Sequence, residues 1–223
     1  MPGPDYSFQS YYRRRLPHLH SYDKPIFITW RMAFTFPATA ITQISNELQS
    51  YRDSKEIKLV KNADLSSLIE KRRFALYDYM LAKDKSFPQL LNDTLVVEHV
   101  ISSITFYDQE RINLIAYCIM PNHVHLLLKP LEDTKGEKTS LANIMQSIKG
   151  YSALNINRAL NRKGAFWQKE YYDHVIRDDI ELARCLNYIV NNPVKAGIAK
   201  HWKDWQHTLI KAEYLKYLPA EYQ

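Results

Sequence analysis

Tyr117-Cys118-Ile119-Met120-Pro121-Asn122-His123-Val124-His125-Leu126-Leu127-Leu128-Lys129-Pro130 carries two apolar runs that meet at a Met-Pro-Asn corner. That pattern reads as an antiparallel hairpin with its turn at 120–122. Side chains alternate along a strand, so His123 and His125 share one face, while Val124, Leu126 and Leu128 point to the other. Two imidazoles side by side at a strand's start, just after a turn, suit a metal site better than a core. The first run, Ile112 to Ile119, is apolar almost throughout, as expected of a strand covered on both faces.

Working outward, Ile26 to Phe34 reads as a strand with Ile26, Ile28, Trp30, Met32 and Phe34 on one face, ended by Pro37. Helical spacing of Ile41, Ile44, Leu48 and Tyr51 predicts a helix over 39–52, and a second is expected over 64–82. A third starts at Asn92 or Asp93, with Leu95, Val96, His99, Val100 and Ile104 as its stripe. Beyond the hairpin, 131–138 is a charged loop, and a helix opens at Thr139 or Ser140 with Leu141, Ile144, Met145 and Ile148 inward. Continued at about 100° per residue, that stripe arrives at Tyr151, Ser152 and Asn155. A strand over 171–176 follows. The last helix opens at Asp178, presents Ile180, Ala183, Leu186, Ile189 and Val190, and stops at Asn192-Pro193. The order predicts an α+β fold: a ferredoxin-like βαββαβ antiparallel sheet with extra helices inserted after the first strand and a C-terminal extension. The expected divisions are a basic arm over 1–24, one domain over 25–198, and a tail over 199–223.

Composition narrows the class of partner. A formal charge of +6 with sixteen tyrosines and four tryptophans suits a polyanion with exposed bases, because flat rings beside Arg and Lys are what single strands stack on. Aromatics building the core are the alternative. Cys118 and Cys185 lie in apolar patterns without metal or redox spacing, as buried thiols in a reducing compartment do. The N-terminal stretch holds Arg13-Arg14-Arg15 and no apolar h-region, and no run approaches a membrane span. A cytoplasmic protein is expected, with no membrane partner, as a monomer or homodimer.

The helix after the hairpin must pack back across the sheet, so Tyr151 and Asn155, four residues apart on one face, are expected to reach the histidine face. Two imidazoles and a carboxamide oxygen would then surround a divalent ion, with open positions for substrate oxygens and a phenol beside it. A phenol is a weak nucleophile at neutral pH, about 0.1% ionised, so a cation that polarises the phosphodiester is what makes its attack feasible. Exchange of one phosphodiester for another keeps the bond energy, which is strand-transfer chemistry. Two other readings fit a His-x-His sheet: a non-catalytic nucleic-acid-binding module, and a metal-dependent hydrolase using activated water.

Met120-Pro121-Asn122-His123-Val124-His125-Leu126-Leu127 resembles the His-hydrophobe-His motif of single-tyrosine transposases, specifically the REP-associated tyrosine transposases of bacteria. Lys149-Gly150-Tyr151 with Asn155 resembles their tyrosine helix. Phe166-Trp167-Gln168, Tyr172 to Asp178, and Asn192-Pro193-Val194-Lys195-Ala196-Gly197 resemble their downstream segments; Leu16-Pro17-His18 and Phe27 to Arg31 resemble their N-terminal pattern. The resemblance implies a bacterial, nucleoid-associated protein and metal-dependent cleavage and rejoining of single-stranded DNA bearing imperfect-palindrome hairpins, through a 5′-phosphotyrosine intermediate. Tyr151 would be the nucleophile, and His123, His125 and Asn155 would hold Mg²⁺ or Mn²⁺. Related insertion-sequence enzymes carry glutamine at the third-ligand position. Imidazole ligands favour manganese over magnesium, which prefers oxygen. Arg13, Arg14, Arg15, Trp167, Gln168 and Tyr171 are the expected DNA contacts, and the tail would regulate access to the site.

Overall fold

The computed structural model describes residues 10–13, 17–20, 24–34, 36–54, 57, 62–83, 85–132 and 139–222. Its strands are β1 (Ser10–Arg13), β2 (Pro17–His20), β3 (Ile26–Arg31), β4 (Ile112–Ile119), β5 (His123–Pro130), β6 (Tyr172–Val175) and β7 (Thr208–Ile210). The helices are α1 (Ala38–Asp53), α2 (Asn62–Lys83), α3 (Thr94–Thr105), α4 (Leu141–Ala159) and α5 (Asp179–Lys195). The chain divides into two compact units, Met1–Ala33 with Gln89–Gln223, and Phe34–Pro88.

In the first unit an antiparallel sheet runs in the order β6-β3-β5-β4-β7. Within it, β3-α3-β4-β5-α4-β6 is the ferredoxin-like βαββαβ order that the sequence predicts. The hairpin forms as expected, with the Met120 N–H donating to His123 O at 2.8 Å. Asp93 caps α3 by accepting from Leu95 N, and Ser140 caps α4 by accepting from Asn143 N.

Register decides which side chains share a face. Thr29 lies opposite His125, Arg31 opposite His123, and Phe27 opposite Leu127, so these six form one face. The other face carries Ile26, Ile28 and Trp30 with Leu128, Leu126 and Val124. A bulge in β4 between Leu114 and Ala116 resets the alternation, so that Ala116 and Cys118 pair with Leu127 and His125 on the histidine face. Small residues there let a helix approach closely, and α5 packs against β4.

The two faces receive different helices. α3 and α4 pack on each other, and α4 ties to the Trp30 face. There Trp167 meets Trp30 edge-on with ring centroids 5.9 Å apart, and its Nε1–H donates to Ser152 Oγ of α4 at 2.9 Å. α5 covers the other face, its Tyr188 ring lying edge-on to Phe27 and His125. Asp178 caps α5 as expected, accepting from Glu181 N at 2.8 Å. His174 is structural: its Nε2 lies 2.6 Å from Glu181 Oε1, joining β6 to the start of α5.

Four expectations change. Asn192-Pro193 does not stop α5, which continues to Lys195. Proline there forfeits one backbone bond in the last turn, and the end is made by Gly197 at φ +68. Gly197 N bonds Val194 O and Ile198 N bonds Pro193 O, the paired bonds of a glycine-terminated helix. Ile180, expected on the inward face of α5, is exposed, because the capping turn carries it outward. The N-terminal arm contains a two-stranded hairpin, β1 with β2; Arg14 and Arg15 lie outside the described residues. The tail joins the sheet, with β7 pairing β4, Trp205 Nε1 donating to Ile119 O, and Tyr222 Oη donating to Asn191 Oδ1 of α5.

In the second unit, Phe36, Ala40, Leu81 and Phe87 form one cluster and Ile44, Leu48 and Leu76 another, joining α1 to α2. These are the inserted helices that the periodicity predicts. Among the described residues no helix is long and apolar enough to cross a membrane.

The tail is pinned by Lys211, whose Nζ lies 2.8 Å from Asp108 Oδ2, while Asp108 Oδ1 accepts from Leu114 N. Burial alone would raise the Asp108 pKa, but the hydrogen bonds from Lys211 and Leu114 outweigh it and hold the carboxyl below its usual 3.8. Asp108→Ala is therefore expected to lower stability by about 1.5–3 kcal/mol in urea unfolding at pH 7. The stabilisation is complete above the unfolded carboxyl's pKa and is lost as pH falls through the lower folded value. The variant and the parent should accordingly converge in acid.

Candidate active site

β5 delivers His123 and His125 to the α5 face, both fully buried. Their Nε2 atoms converge to 3.1 Å, with the rings at 79°. Metal–imidazole bonds are about 2.1 Å long, so two nitrogens that share an ion must lie within about 4.2 Å of each other, as these do. The donor pair therefore fits a divalent cation.

The outer ring nitrogens are both engaged. His123 Nδ1 lies 2.6 Å from Asn122 Oδ1, and His125 Nδ1 lies 2.8 Å from Thr29 Oγ1. A carboxamide oxygen only accepts, so His123 carries its proton on Nδ1 and turns a lone pair inward at Nε2. The Thr29 hydroxyl can donate or accept, so His125 adopts either tautomer. Hydrogen-bonded outer nitrogens of this kind orient metal-ligating histidines. Burial lowers the His123 pKa to about 3 and lowers that of His125 well below the ordinary value, with His123 adding to the effect. Both rings are thus neutral at physiological pH, the form that binds metal.

The aromatic wall is built by α5 and β3. Phe27 stacks on His125 at 5.7 Å, and the Tyr188 ring stands edge-on to both, its centroid 5.4 Å from that of His125. One turn further along α5, buried Asn192 donates Nδ2–H to Tyr188 O at 3.0 Å, which leaves its side-chain oxygen as an acceptor.

Tyr151 and Asn155 are placed elsewhere. Tyr151 is 56% exposed on α4, which ties to the Trp30 face, and Asn155 donates to Tyr151 O. The inward stripe of α4 continues through Ser152 and Ile156, one position beyond Tyr151 and Asn155. The fold thus brings His123 and His125 together with Tyr188 and not with Tyr151. The missed signal was a repetition: Tyr-x-x-x-Asn occurs at 151–155 and again at 188–192. Asn192 is moreover a polar residue buried in an apolar turn with Ile189, Val190 and Pro193.

Of the expected DNA contacts, Trp167 and Tyr171 are buried, Trp167 by Trp30 and Ser152, and Tyr171 with Lys149 Nζ 5.4 Å from its ring centre. Both rings are packed in the interior. Gln168 is half-buried beside β3, where its N–H donates to Arg31 O. Lys149, Gly150, Trp167, Gln168 and Tyr171 line an open cleft of about 300 Å³ next to α4. Arg13 lies in β1.

Residues 79–192 match the family described as Transposase IS200 like. A Haemophilus influenzae protein named as a REP-associated tyrosine transposase is 37% identical over 108 residues, 44% of this chain and 61% of that protein. An uncharacterized protein of the same organism is 30% identical over 105 residues, 40% of this chain and 57% of its own length. The chain thus spans about three-fifths of the curated relatives it matches. A solved REP-associated tyrosine transposase bound to a REP hairpin is 18% identical, with a TM-score of 0.48 over 90% of this chain and 82% of that one.

Neutral buried histidines couple stability to pH. Their folded pKa lies below the unfolded 6.5, so the unfolded chain binds more protons between that value and about 3. Stability should be full above pH 6.5 and fall as pH drops. His123→Gln is expected to flatten the slope by about 1.4 kcal/mol per pH unit between pH 6 and 4, measured by denaturant titration in metal-free buffer.

Proposed function

Because the chain belongs to the IS200-like transposase family, we propose that it cleaves and rejoins single-stranded DNA through a phosphotyrosine bond, with Tyr188 as the nucleophile. The observation that carries this is the Tyr188 ring set against His125 on the face where the two Nε2 atoms converge. His123 and His125 hold a divalent cation, with Asn192 Oδ1 as the third ligand. The donor set of two imidazoles favours Mn²⁺ over Mg²⁺. The cation, when bound, polarises the phosphodiester and eases the charge on the displaced oxygen.

The chain's own residues do the rest. Asn122 and Thr29 hold the imidazoles in orientation, and Phe27 and Tyr188 wall the site against water. The Tyr188 oxygen forms a bond to phosphorus as the P–O3′ bond breaks. The phenolic proton is lost and the released 3′ oxygen takes one up, leaving a 5′-phosphotyrosine and a free 3′ hydroxyl. Reversal with another 3′ end rejoins the strand. Hairpin-bearing single-stranded DNA is the substrate that the motif resemblance implies, and the charge of +6 suits a polyanion.

Incubation with single-stranded hairpin DNA and Mn²⁺ should give a protein–DNA adduct that survives denaturation, with the nucleotide on the Tyr188 peptide in mass spectrometry. Tyr188→Phe should bind DNA yet form no adduct, while Tyr151→Phe should form it at close to the parental rate. The reverse pattern would return the nucleophile to α4. Chelator should abolish the adduct, and Asn192→Ala should weaken Mn²⁺ binding by about 10–100-fold. Free 5′ phosphate ends without attached protein would identify a hydrolase instead.

A further inference from the structure

We propose that Arg31 holds the scissile phosphate beside the histidine pair, an inference that rests on the strand-transfer reading above. β3 and β5 pair with Arg31 opposite His123, so their side chains stand on one face with Cβ atoms about 5 Å apart. A guanidinium extends several ångströms beyond its Cβ, which brings an anion bound to the imidazole-held cation within its reach. The position is rigidly built. Met32 N donates to Asn122 O at 3.0 Å, Gln168 N to Arg31 O at 2.9 Å, and Arg31 Nη1 to Met32 O at 3.1 Å.

The same bonds extend the row. Met32 bridges Trp167 in antiparallel fashion, and the Gln168–Arg31 bond carries that pairing one residue further. Gln168, Arg31 and His123 therefore lie across three adjacent segments. Gln168 and Arg31 are half-buried while His123 is fully buried, so the row runs from the interior towards solvent. A strand entering the site would pass the two outer residues first.

Charge explains why the reaction needs this residue. Attack on a phosphodiester builds negative charge on its non-bridging oxygens. Arg31 is permanently charged, and its planar fork matches two oxygens of a phosphate. It neither gains nor loses a proton in the step. Its partial burial limits screening by salt.

The test compares Arg31→Gln and Arg31→Lys with the parent on a hairpin-bearing single strand. At saturating DNA with Mn²⁺, Arg31→Gln should slow adduct formation by about 100-fold or more, and Lys should restore part of the rate. Mn²⁺ affinity and urea unfolding should stay close to parental, which a merely structural role would not allow. In a Tyr188→Phe background, where no adduct forms, Arg31→Gln should reduce the slope of log affinity against log salt by about 0.7. A rate within about three-fold of the parent, or a rate loss matched by lost Mn²⁺ binding, would overturn the assignment. The salt slope reads the phosphate contact without chemistry, so an unchanged slope refutes the role of Arg31. Absence of any Tyr188 adduct in the parent refutes the strand-transfer reading instead.

Discussion

Two imidazole nitrogens 3.1 Å apart in a buried site cannot both face each other with bare lone pairs. Either one carries a proton towards the other, or a cation takes both. Asn122 fixes His123 with its lone pair inward, so the choice falls on His125 and on the Thr29 hydroxyl that accommodates either tautomer. Everything around the site holds this arrangement. The β3–β5 register puts Thr29 opposite His125, and the Met-Pro-Asn corner puts Asn122 beside His123. Burial keeps both rings neutral.

The same constraint explains the distribution of the helices. A face bearing two histidines, a threonine and an arginine cannot be sealed by an apolar helix without stranding polar atoms. α5 meets it with an aromatic ring and a carboxamide, Tyr188 and Asn192, in addition to its apolar residues. The opposite face is uniformly branched and aromatic, and α3 and α4 cover it. Ser152 there serves Trp167, so its polarity is a packing device. The β4 bulge allows the division, because it turns Ala116 and Cys118 to the side where α5 must come close.

The tail beyond α5 extends this architecture. β7 closes the β4 edge of the sheet, and Tyr222 bonds Asn191, the neighbour of Asn192. The tail thus reinforces both the sheet and the helix that carries Tyr188. The half-buried Lys211–Asp108 pair supplies the electrostatic part of that attachment.

Local chemistry was enough to read the hairpin, the shared face of His123 and His125, the caps at Asp93, Ser140 and Asp178, and the βαββαβ order. Each depends on alternation or on hydrogen bonds between near neighbours in the chain. Which tyrosine meets the histidines was not of that kind. Tyr151 and Tyr188 both head a Tyr-x-x-x-Asn pair, both sit on amphipathic helices, and both follow the histidines. Only the side of the sheet on which each helix lands separates them. That is settled by long-range events: the β3–β5 register, the β4 bulge, and the Trp167–Ser152 bond that commits α4 to the Trp30 face. A one-residue shift of register would exchange the faces of a strand, so the tyrosine that meets the histidines is a property of the assembled sheet.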